Sequence, residues 1–290
     1  MKAPDSGAWR LAGGREMSTA RQILIRGDRY PGHVQPAELS SSTQDYLKTI
    51  WQLGEWSPDK VTTTTLAARM GLAASTVSEA LKKLTAQGMV TRPSYGVVEL
   101  TDEGRSVAVT MVRRHRLLET FLTTKLGYAW DEVHDEAEVL EHAVSEKFLD
   151  RIDALLGHPS ADPHGDVIPS PSGVIAAPTA VQLVDVLEPV AVDVVRVSDD
   201  DPATLRYLAG VGVVPGTRLR VLPDSGSPGM VAVSVVGTAA AVVAAGAHGR
   251  VAGGGDGAGD VPAAAPTLAD PQSVVSMGVL AAEAVWVTRV

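Results

Sequence analysis

The stretch from Trp130 to His142, WDEVHDEAEVLEH, places six carboxylates and two imidazoles within thirteen residues. Carboxylate and imidazole bind hard and borderline divalent cations, and the chain has no cysteine to offer a thiolate instead. On a helix turning about 100° per residue, His134, Glu138, Glu141 and His142 fall within an arc of about 100°. Upstream, His115 and Glu119 stand at i and i+4 and share a face in the same way. Like charges along one stripe destabilise a helix, and a cation among them removes that repulsion. The chemistry these residues suit is the holding of Mn(II), Fe(II) or another ion with nitrogen and oxygen ligands. A solvated acidic face accounts for the same charge with no ligand. In that reading His115 belongs to a basic surface run after Arg113 and Arg114, and Glu141 and His142 are an exposed pair.

Catalytic alternatives find less support. A carboxylate-bridged metalloenzyme of the di-iron type needs repeated Glu-x-x-His motifs. Here Val139 stands three before His142, and Glu138 is followed three later by Glu141. No H-E-x-x-H motif and no glycine-rich phosphate cradle is present. The expectation is a protein that is not an enzyme.

The elements that must position these residues follow from the rest of the chain. Its 290 residues leave room for roughly two domains of about 150 residues each. No apolar run reaches the roughly 18 to 20 residues that span a bilayer, and the N-terminus lacks a signal pattern, so a cytoplasmic protein with no membrane partner is expected. The net charge of -9 is unevenly spread: residues 41–110 balance, whereas 111–169 carry twelve carboxylates against six Lys and Arg.

Residues 1–40 mix Gly, Pro, Arg and Ser and read as an extension, mobile or partly ordered. SSTQDYLKTIWQL opens a helix with Tyr46, Leu47, Ile50 and Trp51 at helical spacing. Thr63 or Thr64 can cap a short helix stopped by Gly71, and a second follows with Val77, Leu81 and Leu84 inward. Two short helices joined by a tight turn make a helix-turn-helix, and MVTRP and VVELT around SYG make its wing. The outward residues Ser75, Thr76, Ser78, Glu79, Lys82 and Lys83 suit the major groove of double-stranded DNA.

A long helix from Thr101, the acidic stretch, and LDRIDALLG continue the helical pattern over 111–160. The Pro-, Gly- and Ser-rich 161–177 reads as a linker. From 178 to 290 the period changes to two, with one short helix at DPATLRYLAGVG, which is a small β-barrel pattern. An Ala/Gly-rich insertion interrupts it at about 237–270. The fold class expected is mainly α with small β.

TQDYLKTIW, STVSEALKKLTAQGMV, VELTDEGR, RRHRLLETFL and WDEVHDEAEVLEHAVSE, in that order, resemble the diphtheria-toxin-repressor family of metal-dependent bacterial transcription regulators. The likeness is close over about 41–170 and looser in the tail. It implies a winged helix-turn-helix at 41–110, a helical dimerisation and metal-binding domain at 111–160, and an SH3-like domain at 178–290. By motif position it maps a primary metal site onto Asp45, Glu138, Glu141 and His142, and an ancillary site onto His115, Glu119 and His134. Iron-responsive members carry Met and Cys at the positions of Asp45 and Glu138, so the oxygen ligands here resemble the manganese-responsive branch, with Fe(II) as the alternative. Small manganese regulators have a second acidic residue where this chain has Lys48, which argues for two separated ions per subunit. In longer members the SH3-like domain lends oxygen ligands to the ancillary ion; SDDDPAT stands in that region here and nominates Asp201. The function implied is a metal-activated homodimer that represses metal-uptake genes, its reading heads held about 34 to 36 Å apart or a multiple of that. A winged-helix protein answering another ligand is the remaining alternative.

Overall fold

The computed structural model describes residues 36–57, 59–92, 96–176, 178–222, 229–238 and 274–290. Most of the expected N-terminal extension, the wing tip at 93–95 and nearly all of the Ala/Gly-rich insertion lie outside them.

Helix α1 (Ser41–Glu55) begins where Ser40 accepts a hydrogen bond from the Thr43 amide. Helix α2 (Thr63–Met70) opens with a reciprocal capping box between Thr62 and Thr65 and closes on Gly71 in the left-handed region. Helix α3 (Ala74–Ala86) follows, then the two-residue strands β1 (Val90–Thr91) and β2 (Glu99–Leu100), paired antiparallel as the wing. One core joins these elements: Leu47, Ile50, Leu66, Val77, Leu81 and Val107 are all essentially buried.

Helix α4 (Asp102–Phe121) is the spine of the helical part. Thr101 caps it, and Asp102 and Glu103 in its first turn complement the helix dipole. A glycine is required at 104, because a Cβ there would fall onto the Met89 carbonyl oxygen. The N-terminal half of α4 packs in the DNA-binding core and its C-terminal half in a second core with Val133, Ala137, Leu149 and Ile152. No break separates the two at residue 110. Helix α5 (Val133–Leu140) and helix α6 (Glu146–Leu156) complete this part. The acidic stretch is therefore helical over only its middle. Glu141 keeps helical angles as the C-cap and donates its amide to Ala137 O at 2.9 Å, so the stripe expected from helix geometry persists one residue past the helix.

The segment 161–176 links the domains while packed against them: Asp162, His164, Asp166, Ile168 and Ile175 are buried. Its composition reads as loop, but its polar residues face buried arginines rather than water. Beyond it, β3 (Val181–Gln182), β4 (Ala191–Val197), β5 (Thr217–Val221), β6 (Met230–Thr238), β7 (Val274–Gly278) and β8 (Val285–Arg289) form an antiparallel sheet in the order β3-β8-β4-β5-β6-β7. Helices α7 (Pro202–Gly210) and α8 (Val279–Glu283) accompany it, enclosing a third core of Val192, Val194, Leu205, Leu208, Leu219 and Val287. The architecture is a winged helix-turn-helix, a helical domain and a C-terminal SH3-like sheet domain.

The sheet domain docks on both others. A bulge between Val194 and Arg196 aims Arg196 at Trp56, the C-cap of α1. Its guanidinium lies 4.9 Å from the Trp56 ring centre and 4.3 Å from that of Trp286. Asp166 accepts from Arg196 Nε at 2.8 Å and from Trp56 Nε1 at 2.6 Å, fastening the connecting segment to the same point. Gly165, at φ +90°, lets the segment run against the Val195 carbonyl, where any Cβ would collide.

Candidate metal centre

Two ligand groups lie between the domains. In the first, Asp45 comes from α1, Glu138 from α5, and Glu141 and His142 from the turn after α5. One ligand atom from each lies within 4.8 Å of every other. Arg114 steadies that turn by donating to the Glu141 carbonyl at 3.3 Å. Asp45 Oδ1 is buried without a hydrogen-bond partner, although His142 Nε2 is only 2.9 Å away. An acceptor oxygen and a ring nitrogen facing one another at that distance, with no hydrogen bond between them, fit a shared cation.

Lys48 is the unexpected member. Its ammonium donates to Glu138 Oε1 at 2.6 Å and Glu141 Oε1 at 2.7 Å, although the side chain is only 2 % exposed. Burial alone would lower its pKa, but Glu141 and Glu138 outweigh burial and hold it above the ordinary lysine value. Burial raises the Asp45 carboxyl despite the attraction of His142 and Lys48. Glu141 goes the other way: against its burial, His115 and Lys48 draw it below the usual range.

In the second group His115 and Glu119 from α4 meet His134 from α5 and Asp199, two residues past β4. Glu119 Oε1 is 3.0 Å from His115 Nε2 and 3.5 Å from His134 Nδ1, and Asp199 Oδ2 is 3.1 Å from His134 Nδ1. Burial opposes charge on His134, but the facing carboxylates of Asp199 and Glu119 prevail and push its pKa up to about 10. His115 is likewise raised, burial being outweighed by Glu119. Glu119 and Asp199 are held low by the same partners in spite of their burial. Glu119 also approaches Asp162 and His164 of the connecting segment. His164 Nε2 donates to the Trp130 carbonyl at 2.6 Å, which leaves its buried Nδ1 without a partner. That nitrogen and Glu119 Oε1, also unpartnered, fit a divalent cation in the second group as Asp45 Oδ1 does in the first.

Glu141 joins the groups. Its Oε1 faces Lys48, and its Oε2 accepts from His115 Nδ1 at 2.6 Å while His115 Nε2 faces the second group. A cavity of about 420 Å³ lined by Asp45, Glu138, His134 and Asp199 reaches both.

Asp201 lies in neither group. Its carboxylate caps α7, accepting from the amides of Ala203 and Thr204 and the Thr204 hydroxyl. The sheet domain contributes Asp199 instead. Sequence reasoning missed Asp199, Asp162 and His164. Asp201 followed by Pro202 is an N-cap signature that would have eliminated Asp201, and the Asp-x-His spacing at 162–164 was hidden by linker-like composition.

On α3, Ser75, Thr76, Glu79, Lys82 and Lys83 are exposed and Ser78 is half-buried. Glu79 and Lys82 pair at 2.6 Å, so part of the charge on this face is internally balanced.

Comparison with known proteins agrees with this layout. Residues 38–98 match the iron dependent repressor N-terminal DNA binding domain, 101–170 the iron dependent repressor metal binding and dimerisation domain, and 181–248 the FeoA domain. The iron-dependent repressor IdeR of Mycobacterium leprae is 33% identical over 196 residues, 63% of this chain and 85% of that protein. The diphtheria toxin repressor of Corynebacterium diphtheriae is 33% identical over 132 residues, 46% of this chain and 58% of that one. A solved manganese-dependent transcriptional repressor in complex with manganese is similar at 45% identity and TM-score 0.71, covering 86% of this chain and 100% of the other. ScaR with bound Zn2+ is similar at 29% identity and TM-score 0.63, covering 86% and 99%.

Proposed function

Since the chain belongs to the iron-dependent repressor family, which includes the diphtheria toxin repressor, and is a metal-dependent transcriptional repressor, we propose that Mn(II) is its activating ion. The observation that carries this reading is the donor set: every ligand atom in both groups is oxygen or nitrogen, and the chain has no cysteine. Asp45, Glu138, Glu141 and His142 would hold one ion. His115, Glu119, His134 and Asp199 would hold a second, with Asp162 and His164 at hand. Held by Asp45 of α1 and by Glu138, Glu141 and His142 of α5 and the turn after it, an ion would supply a tie between the reading head and the helical domain.

The protein's own residues do the rest. Arg116 grips Glu55 at the C-terminal end of α1 through bonds of 2.6 and 3.0 Å, and the Trp56–Arg196–Trp286 stack fixes that end to the sheet domain. The end bearing Asp45 is left to answer the ligands. The exposed face of α3 then meets the major groove of operator DNA, Lys83, Ser75 and Thr76 on phosphate and Glu79 within reach of a cytosine amine. A homodimer forms through the exposed apolar side chains Val139, Phe148 and Leu155 of α5 and α6. The regulated genes are those of metal uptake.

The test is operator binding by fluorescence anisotropy with Mn(II), Fe(II), Zn(II) or a chelator. Mn(II) is expected to activate, and binding indifferent to metal would remove the mechanism. The iron-dependent relatives favour a second reading, Fe(II). Activation by Fe(II) at far lower free concentration would establish it.

A further inference from the structure

Gln44 belongs to neither group, yet it is buried and its side chain is fully committed. The amide nitrogen donates to the carbonyl oxygens of Pro36 at 2.7 Å and Leu39 at 3.0 Å. Those two acceptors decide which end of the amide is nitrogen, since the reversed amide would press oxygen against two carbonyl oxygens. The amide oxygen therefore faces His142 Nδ1, 2.8 Å away. An amide oxygen has no hydrogen to give, so the hydrogen of this contact sits on His142 Nδ1. Nε2 is left as the nitrogen that faces the carboxylates, 2.9 Å from Asp45 and 3.7 Å from Glu141.

We infer that Gln44 is a positioning residue: it selects the His142 tautomer with hydrogen on Nδ1 and thereby points the Nε2 lone pair into the first group. This rests on the proposed reading of that group as a metal site. Imidazole in water favours hydrogen on Nε2, which is the wrong arrangement for a ligand in this orientation. Histidine ligands are generally held by a partner on their second nitrogen, and losing that partner costs about 10–100-fold in metal affinity. Gln44 precedes the ligand Asp45 in α1, so one helical turn supplies both a ligand and the group that orients its neighbour.

The test uses the full-length protein in an Asp199→Ala background, so that Mn(II) titration calorimetry reads the first group. Gln44→Met removes the acceptor and should weaken Mn(II) binding by about 10–100-fold, while Gln44→Glu, which keeps an acceptor for His142 although it sets an oxygen against the Pro36 and Leu39 carbonyls, should weaken it less. Nitrogen-15 chemical shifts of His142 without metal should place hydrogen on Nδ1 in the parent and in Gln44→Glu, and on both nitrogens in exchange in Gln44→Met. Unchanged affinity in Gln44→Met would overturn the inference. So would an equal fall in both variants, which would assign Gln44 to tethering Pro36 and Leu39 alone. If the parent binds no Mn(II) at this group, the proposed function fails; the tautomer measurement then judges Gln44 separately, and hydrogen on Nε2 in the parent would refute its role.

Discussion

The two ligand groups share Glu141 but balance their negative charge by different means. The first carries a cation of the chain's own, the Lys48 ammonium between Glu138 and Glu141. The second has no such ammonium; its His115 and His134 are both raised above the ordinary histidine value, so protons are what its carboxylates attract. A tethered ammonium cannot leave the chain, whereas a proton exchanges with solvent. While Lys48 keeps its proton, an ion in the first group would compete with a charge fixed to the chain, and an ion in the second group would compete with hydrogen ions.

The variant that cuts deepest into this comparison is Glu141→Ala. It deprives buried Lys48 and buried His115 of a partner at once, and losing one partner of a buried pair costs about 3–5 kcal/mol. Urea unfolding should register that loss, and Mn(II) titration should show both groups weakened. An unchanged second affinity would show the groups to be independent.

Lys48→Met is next. Removing a unit charge this close to an ion should tighten Mn(II) binding in the first group by about ten- to a hundredfold, allowing for screening. Protein unfolded without metal should meanwhile be less stable, because Glu138 and Glu141 lose their counter-charge. Weaker Mn(II) binding would mean that Lys48 organises the site rather than competing for it.

The third prediction concerns pH. His134 titrates near 10 in the folded chain, above the ordinary value of 6.5. A metal ion must displace that proton, so second-group affinity should rise with pH below about 10, by up to about tenfold per unit for one proton. The same shift means that the His134 contribution to stability is complete below 6.5 and is lost as pH rises through about 10. Calorimetry in buffers of different ionisation heat counts the protons released; none released would remove the contrast between the groups.

The smallest effect separates neighbouring aspartates. Asp199→Ala should weaken the second group and leave the first, while Asp201→Ala should lose only an exposed helix cap, seen as a slight fall in melting temperature with Mn(II) binding intact.

How much of this was legible beforehand depends on the range of the interaction. Helix spacing is local, so the stripe of His134, Glu138 and Glu141 and the His115–Glu119 pair could be read from periodicity, whereas His142 sits in the turn beyond the helix. The reading head was nearly as local, although α2 is capped by Thr62 rather than by Thr63 or Thr64, and α3 starts after Ala73 with no capping side chain. What required the fold were contacts between residues far apart in sequence. Lys48 reaches Glu138 and Glu141 across 90 and 93 positions. Asp199 enters the second group from the sheet domain, and Asp162 and His164 from a segment whose composition resembles a tether. Gly165 there serves close approach to β4, not slack.

Asp199 and Asp200 stand side by side, the first against His134 and the second paired with Arg69 of α2. One planar peptide unit separates the two aspartates, so the path from the second ligand group to Arg69 of the helix-turn-helix is short and crosses few rotatable bonds. The final contact is a partly exposed ion pair, whose strength is modest and screened by salt. Transmission along this path should fade as ionic strength rises, and the tie at Asp45, whose Oδ1 is buried, should fade less.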